Sequence, residues 1–128
     1  MDYTINRVFP NADIEEVDVR VRSALAEQGF GVLTEIDVAA TMKKKINQDM
    51  APYRILGACN PTMAFRALGA EPRVGAMLPC NVILRAVEGG VEVSAIDPVA
   101  SMMAIENDEL TSAAGEVRDK LRQALEAA

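Results

Sequence analysis

The stretch LPCNVILRAVEGGVEVSAID, Leu78 to Asp97, decides the fold. Two runs rich in β-formers flank Gly89-Gly90, and a glycine pair in that setting is a strong hairpin signal. A two-residue turn at Gly89-Gly90 sets Glu88 against Val91, and counting outward pairs Ala86 with Val93, Leu84 with Ala95 and Val82 with Asp97. One side of this ribbon is nearly all apolar, so it faces a core. The other carries Arg85, Val87, Glu92 and Ser94 and is the wetter side. Cys80 shares side-chain parity with Val82 and Leu84, which puts it on the core-directed side, next to Asp97-Pro98.

Working outward, Tyr53 to Cys59 reads as a strand that begins after Pro52, with Ile55, Gly57 and Cys59 on one face. Asn60-Pro61 then turns strand into helix: the residue before proline is held extended, as an N-cap must be, and proline is tolerated at the first helical position. Ala64, Phe65 and Leu68 are expected on the inner face of that helix, and Gly69 to end it. At the other side of the hairpin, Asn107 can cap a last helix whose stripe is Leu110, Ala114, Val117, Leu121 and Leu125. Its opposite face, Glu116, Arg118, Asp119, Lys120 and Glu126, is charged, so the helix must lie on the sheet.

Nearer the N-terminus, Met1 to Phe9 alternates like a strand and stops at Pro10-Asn11. Asp13 and Glu16 form a capping box, and Ile14, Val17, Val21, Ala24 and Leu25 repeat at helical spacing up to Gly29. Gly31 to Val38 reads as a second strand, expected to pair with the first. Asp37 caps a short helix with Val38, Met42 and Ile46 on one face, ending near Asn47 after Lys43, Lys44 and Lys45. These elements describe one α+β domain spanning residues 1–128.

The chain has 128 residues, half of them hydrophobic, enough for a single core without staples. With 13 basic and 19 acidic residues its formal net charge is -6, which repels phosphate backbones and anionic lipid, so neither nucleic acid nor a membrane is an expected partner. No apolar run approaches the roughly twenty residues of a membrane span, and no export signal is visible, so the cytoplasm is the expected location. There are 2 cysteines and no histidine. Histidine-based triads and histidine metal sites are therefore excluded, and in a reducing compartment a structural disulfide is not the default.

The cysteines stand in related surroundings, Gly57-Ala58-Cys59-Asn60-Pro61 and Leu78-Pro79-Cys80-Asn81-Val82. A thiol at a helix N-terminus feels the positive end of the dipole, which makes Cys59 a candidate reactive group. Free cysteine is also among the most frequently buried residue types, so a purely structural role stands beside the functional one. Two thiolates leave a tetrahedral zinc site half filled, whereas copper(I) would accept them with a thioether helper, and Met77, Met102 and Met103 are near in sequence. The carboxylates show no spacing that isolates an acid–base pair, and Gly29-Phe30-Gly31 is followed by a strand, not by the helix a phosphate loop requires.

The segments Gly29 to Val38, Tyr53 to Pro61 and Leu78 to Val82, with Asp97-Pro98 and the terminal helix in order, resemble the domain of unknown function 302 family over nearly the whole chain. The resemblance implies an α+β fold similar to the TATA-binding-protein-like architecture, a curved antiparallel sheet packed on a long C-terminal helix, often as a homodimer. It implies no established activity. Cys59, Asn60, Pro61, Pro79, Cys80 and Asn81 carry over as candidate site residues, with Cys59 and Cys80 as candidate metal ligands. A methionine after Asp97-Pro98 is typical, and either Met102 or Met103 could be its equivalent. Three readings stay open: a binding domain for a soft metal (zinc or copper) or a thiol-reactive small molecule, a thiol redox sensor or enzyme using Cys59 and Cys80, and a carrier of apolar ligands.

Overall fold

The computed structural model describes residues 2–128; Met1, counted above in the first alternating run, lies outside them. Five strands, β1 (Thr4–Pro10), β2 (Gly31–Asp37), β3 (Tyr53–Cys59), β4 (Cys80–Val87) and β5 (Gly90–Ile96), form one antiparallel sheet in the order β1-β5-β4-β3-β2. The helices are α1 (Ile14–Glu27), α2 (Val38–Ile46), α3 (Pro61–Ala70), α4 (Pro98–Ser101) and α5 (Asp108–Ala127), with a 3-10 turn at Pro72–Met77. The fold is α+β, with the long last helix packed on the sheet as its stripe requires.

Local signals act where expected. Asp13 accepts the amide of Glu16 at 2.9 Å, Asn60 that of Met63 at 3.2 Å and Asn107 that of Leu110 at 3.1 Å, each satisfying an amide that has no partner within its own helix. Val17, Val21 and Leu25 of α1 and Leu121, Ala124 and Leu125 of α5 pack on Leu56, Val82, Leu84 and Val93 of the sheet. A second cluster joins Ala67, Val74, Met102, Leu110 and Ala114. Helix α5 runs through both, its C-terminal half on the sheet core and its N-terminal half on the second cluster.

Three sequence expectations are corrected. β1 pairs with β5, not with β2, and the two lie at opposite edges of the sheet. The hairpin turn is Glu88-Gly89, so Leu84 faces Val93 and Val82 faces Ala95. Gly89 takes the left-handed conformation at φ 82°, while Gly90 is a strand residue pressed against β1: a Cβ there would meet the Phe9 carbonyl oxygen at 2.2 Å. The register moves by two residues, which leaves the side-chain faces unchanged. Finally, Phe65 is 81% exposed and Leu68 lies largely at the surface; Ala64 is on the inner face of α3 as expected, joined there by Met63 and Ala67.

An ion network fixes α1 to β3. Asp18, buried on α1, accepts from Arg54 at 3.1 Å and from Arg22 at 2.5 Å, and Arg54 also pairs with Glu15. The hydrogen bond that Arg54 donates to Glu15 outweighs the desolvation of Arg54, and with Asp18 beside it the guanidinium is held more firmly charged than usual.

Candidate functional site

A cavity of about 290 Å³ opens at the seam between the two hydrophobic clusters, bounded by the ends of β3 and β4, by α3 and by α5. It exists because small side chains meet there. Ala64 and Ala67 of α3 oppose Ala113 and Ala114 of α5, with Ala58 at the floor, and alanines at these positions leave unfilled the space that leucines would occupy. At 290 Å³ it lies near the lower end of the size range of small-molecule sites.

The edge strand supplies part of the wall through an irregularity. The β2–β3 register shifts between Val32 and Thr34, so Leu33 is the extra, unpaired residue of a bulge, and it lines the cavity while remaining 68% exposed. Leu33 and Leu68 thus form apolar parts of the rim, and Phe30, buried, lies deeper.

Both cysteines line this one cavity. Cys80 is paired across the ladder with Ala58, and its core-facing parity directs it inward. Strict alternation would turn Cys59 to the opposite face, but β3 ends at this residue and the chain enters α3 through Asn60, so Cys59 reaches the cavity from the strand end. Asp97 accepts the Val99 amide at 2.9 Å and starts α4, which delivers Met102 to the same cavity, 8% exposed. That resolves the choice between neighbouring methionines: Met103 is 61% exposed and does not line it.

The remaining candidates divide. Asn60 and Pro79 line the cavity, although the Asn60 amide is committed to backbone: besides capping α3 it donates to the Gln28 carbonyl at 3.3 Å, tying the end of α1 to the start of α3. The Pro79 ring covers Gly57, where a Cβ would lie 2.7 Å from its Cγ. Pro61 is exposed at the first position of α3, outside the cavity. Asn81 points to the opposite face of the sheet, near Tyr53 and Ile83. Met63 was missed by sequence reasoning. Its spacing of four from Ala67, on the helix that Asn60 caps, is the signal that would have found it.

Burial pushes the Cys80 thiol up to about 11, and the nearby Cys59 adds to the shift, so Cys80 is held protonated at neutral pH. Among the described residues, no three His, Cys, Asp or Glu side chains gather around one point. The cavity therefore offers sulfur and hydrocarbon, with almost no hard oxygen or nitrogen donor.

The features that define the class are those of a small α+β fold: an open antiparallel sheet with one helix-covered face and an apolar, sulfur-lined cavity at its end. Within that class the chain belongs to the family described as "Domain of unknown function DUF302", whose model matches residues 5–128. It is similar in structure to the crystal structure of the uncharacterized conserved protein DUF302 from Bacillus stearothermophilus, with a TM-score of 0.92 and 24% identity, over 99% of this chain and 98% of that one. No curated protein matches the sequence. No helix among the described residues is long and apolar enough to cross a membrane.

Proposed function

We propose that this is a binding domain for a small, soft ligand, a soft metal ion or a thiol-reactive molecule, taken into the cavity at the ends of β3 and β4. The observation that carries this reading is the convergence of both cysteines with Met63 and Met102 on one apolar chamber. Apolar walls favour ligands without hard charge, and polarizable sulfur favours soft partners. A redox pair in which Cys59 attacks and Cys80 resolves has less support, because Cys80, held protonated by its burial, is a poor resolving group.

Monobromobimane, an uncharged bicyclic thiol reagent, tests the reading. The folded, reduced chain should be labelled at Cys59, the more accessible of the two cavity cysteines, with emission characteristic of apolar surroundings. Ala67→Leu fills the chamber and should suppress labelling while leaving the melting temperature equal or higher. Labelling of neither cysteine in the folded protein, with both labelled after unfolding, would overturn it.

A further inference from the structure

We propose that the soft ligand is a monovalent d10 metal ion of the Cu(I) class, held by the sulfur atoms of Cys59, Cys80 and Met102. This deepens the reading above by naming the occupant, and it rests on the same cavity. Four of the chain's nine sulfur side chains, 2 cysteines and 7 methionines in all, line this one chamber: Cys59, Cys80, Met63 and Met102. Sulfur as core filler would be spread through the interior, but here it collects around the one cavity that both cysteines line.

The donor set selects among metals. Zinc in a closed site needs four ligands, usually from Cys, His and carboxylates, and among the described residues no third such group joins the two thiols. Thiolate and thioether donors together suit Cu(I), which is satisfied by two or three soft ligands and needs neither imidazole nor oxygen. Binding is a substitution without electron transfer. Two Cu–S bonds form as the thiols of Cys59 and Cys80 release their protons, the Met102 thioether donates a lone pair for a third, and the ligands that carried the ion leave to solvent with those protons.

The surroundings act on the resulting charge in opposite senses: burial of Cys80 among apolar side chains disfavours it, and the α3 dipole favours it. Two thiolates and one Cu(I) leave a single negative charge, and Cys59 lies just before the Asn60 cap, at the positive end of the ten-residue α3 dipole. The chamber is larger than an ion. Cu(I) travels in water as a complex, and the remaining space between α3 and α5 admits a small carrier thiol during exchange.

Anaerobic titration of the reduced full chain with Cu(I), in competition with bicinchoninate, tests the proposal. One ion per chain is expected, with an X-ray absorption spectrum of a sulfur-only shell. Cys59→Ser and Cys80→Ser should each weaken binding on the order of a hundredfold or more, Met102→Leu about tenfold, and exposed Met103→Leu not at all. If Cys80→Ser fails to fold, Cys59→Ser and Met102→Leu carry the test. Binding that is insensitive to Cys59→Ser, or a Zn(II) affinity equal to that for Cu(I), overturns the assignment. If bimane enters the cavity but Cu(I) does not bind there, this inference falls and the binding-domain reading stands; if neither enters, both fall.

Discussion

Cys80 lies directly opposite Ala58 in the β3–β4 ladder, one residue short of Cys59, so the two thiols approach one chamber from adjacent strand ends. The pairing also seals Cys80 among apolar neighbours, and this burial dominates its acidity.

Stability should therefore fall in mild alkali. Burial pushes the Cys80 thiol up to about 11 in the folded chain against 9.0 for an ordinary thiol, so between those pH values the folded state keeps a proton that the unfolded state has released. Its contribution is complete below pH 9 and is lost as pH rises towards 11, at most about 3 kcal/mol in total. Urea unfolding of the reduced protein from pH 8 to 11 should show this decline in the wild type, with a shallower decline in Cys80→Ala.

Adjacent methionines should behave oppositely. Met102→Ala removes a side chain packed in the second cluster and is expected to destabilise by about 2–5 kcal/mol. Met103→Ala, on an exposed side chain, should stay within about 0.5 kcal/mol. Equal effects in chemical denaturation would contradict the burial assigned here.

Asn60 and Asn107 play matching parts. Each caps a helix with its carbonyl oxygen and donates its amide to the end of an earlier helical segment, Asn60 to Gln28 and Asn107 to Ala70, at 3.3 and 2.9 Å. Replacing either by alanine should cost about 1–2 kcal/mol, and Asn60→Ala should also accelerate amide exchange in the first turn of α3. Hydrogen exchange that leaves that turn unaffected would argue against the tie.

Two glycines at strand starts should separate cleanly. Gly90→Ala forces a Cβ onto the Phe9 carbonyl and should destabilise by more than about 1 kcal/mol or split β1 from β5, whereas Gly31 has open space and its alanine variant should be neutral or slightly stabilising. Thermal melts of the pair decide the point.

Much of this architecture was legible in the residues. Caps, the apolar stripes of α1 and α5 and the strand-to-helix junction at Asn60-Pro61 are set by neighbours in sequence, and they form as read. The hairpin register was not legible, because either glycine could occupy the turn and the choice falls to the approach of Phe9 from the far end of the chain. Nor was the edge position of β2, which depends on which strand reaches β5. The inner face of α3 misled for a related reason. Bulk usually marks the buried side, but here Phe65 points outward and alanines point in, because the helix borders a hollow. Of the candidate site, Cys59, Asn60, Pro79, Cys80 and Met102 are brought together, while Pro61, Asn81 and Met103 lie elsewhere. Strand parity settles Asn81, and the turn that follows α4 settles Met103; both depend on element ends that sequence leaves uncertain by a residue.

Because the hollow arises from methyl groups on two facing helices, its capacity is independent of the backbone hydrogen-bond framework. Exchanging Ala64, Ala67, Ala113 or Ala114 for a bulkier or polar side chain would reshape the hollow while every strand pairing stayed in place. One scaffold can thus vary the volume and polarity of its interior space through four positions.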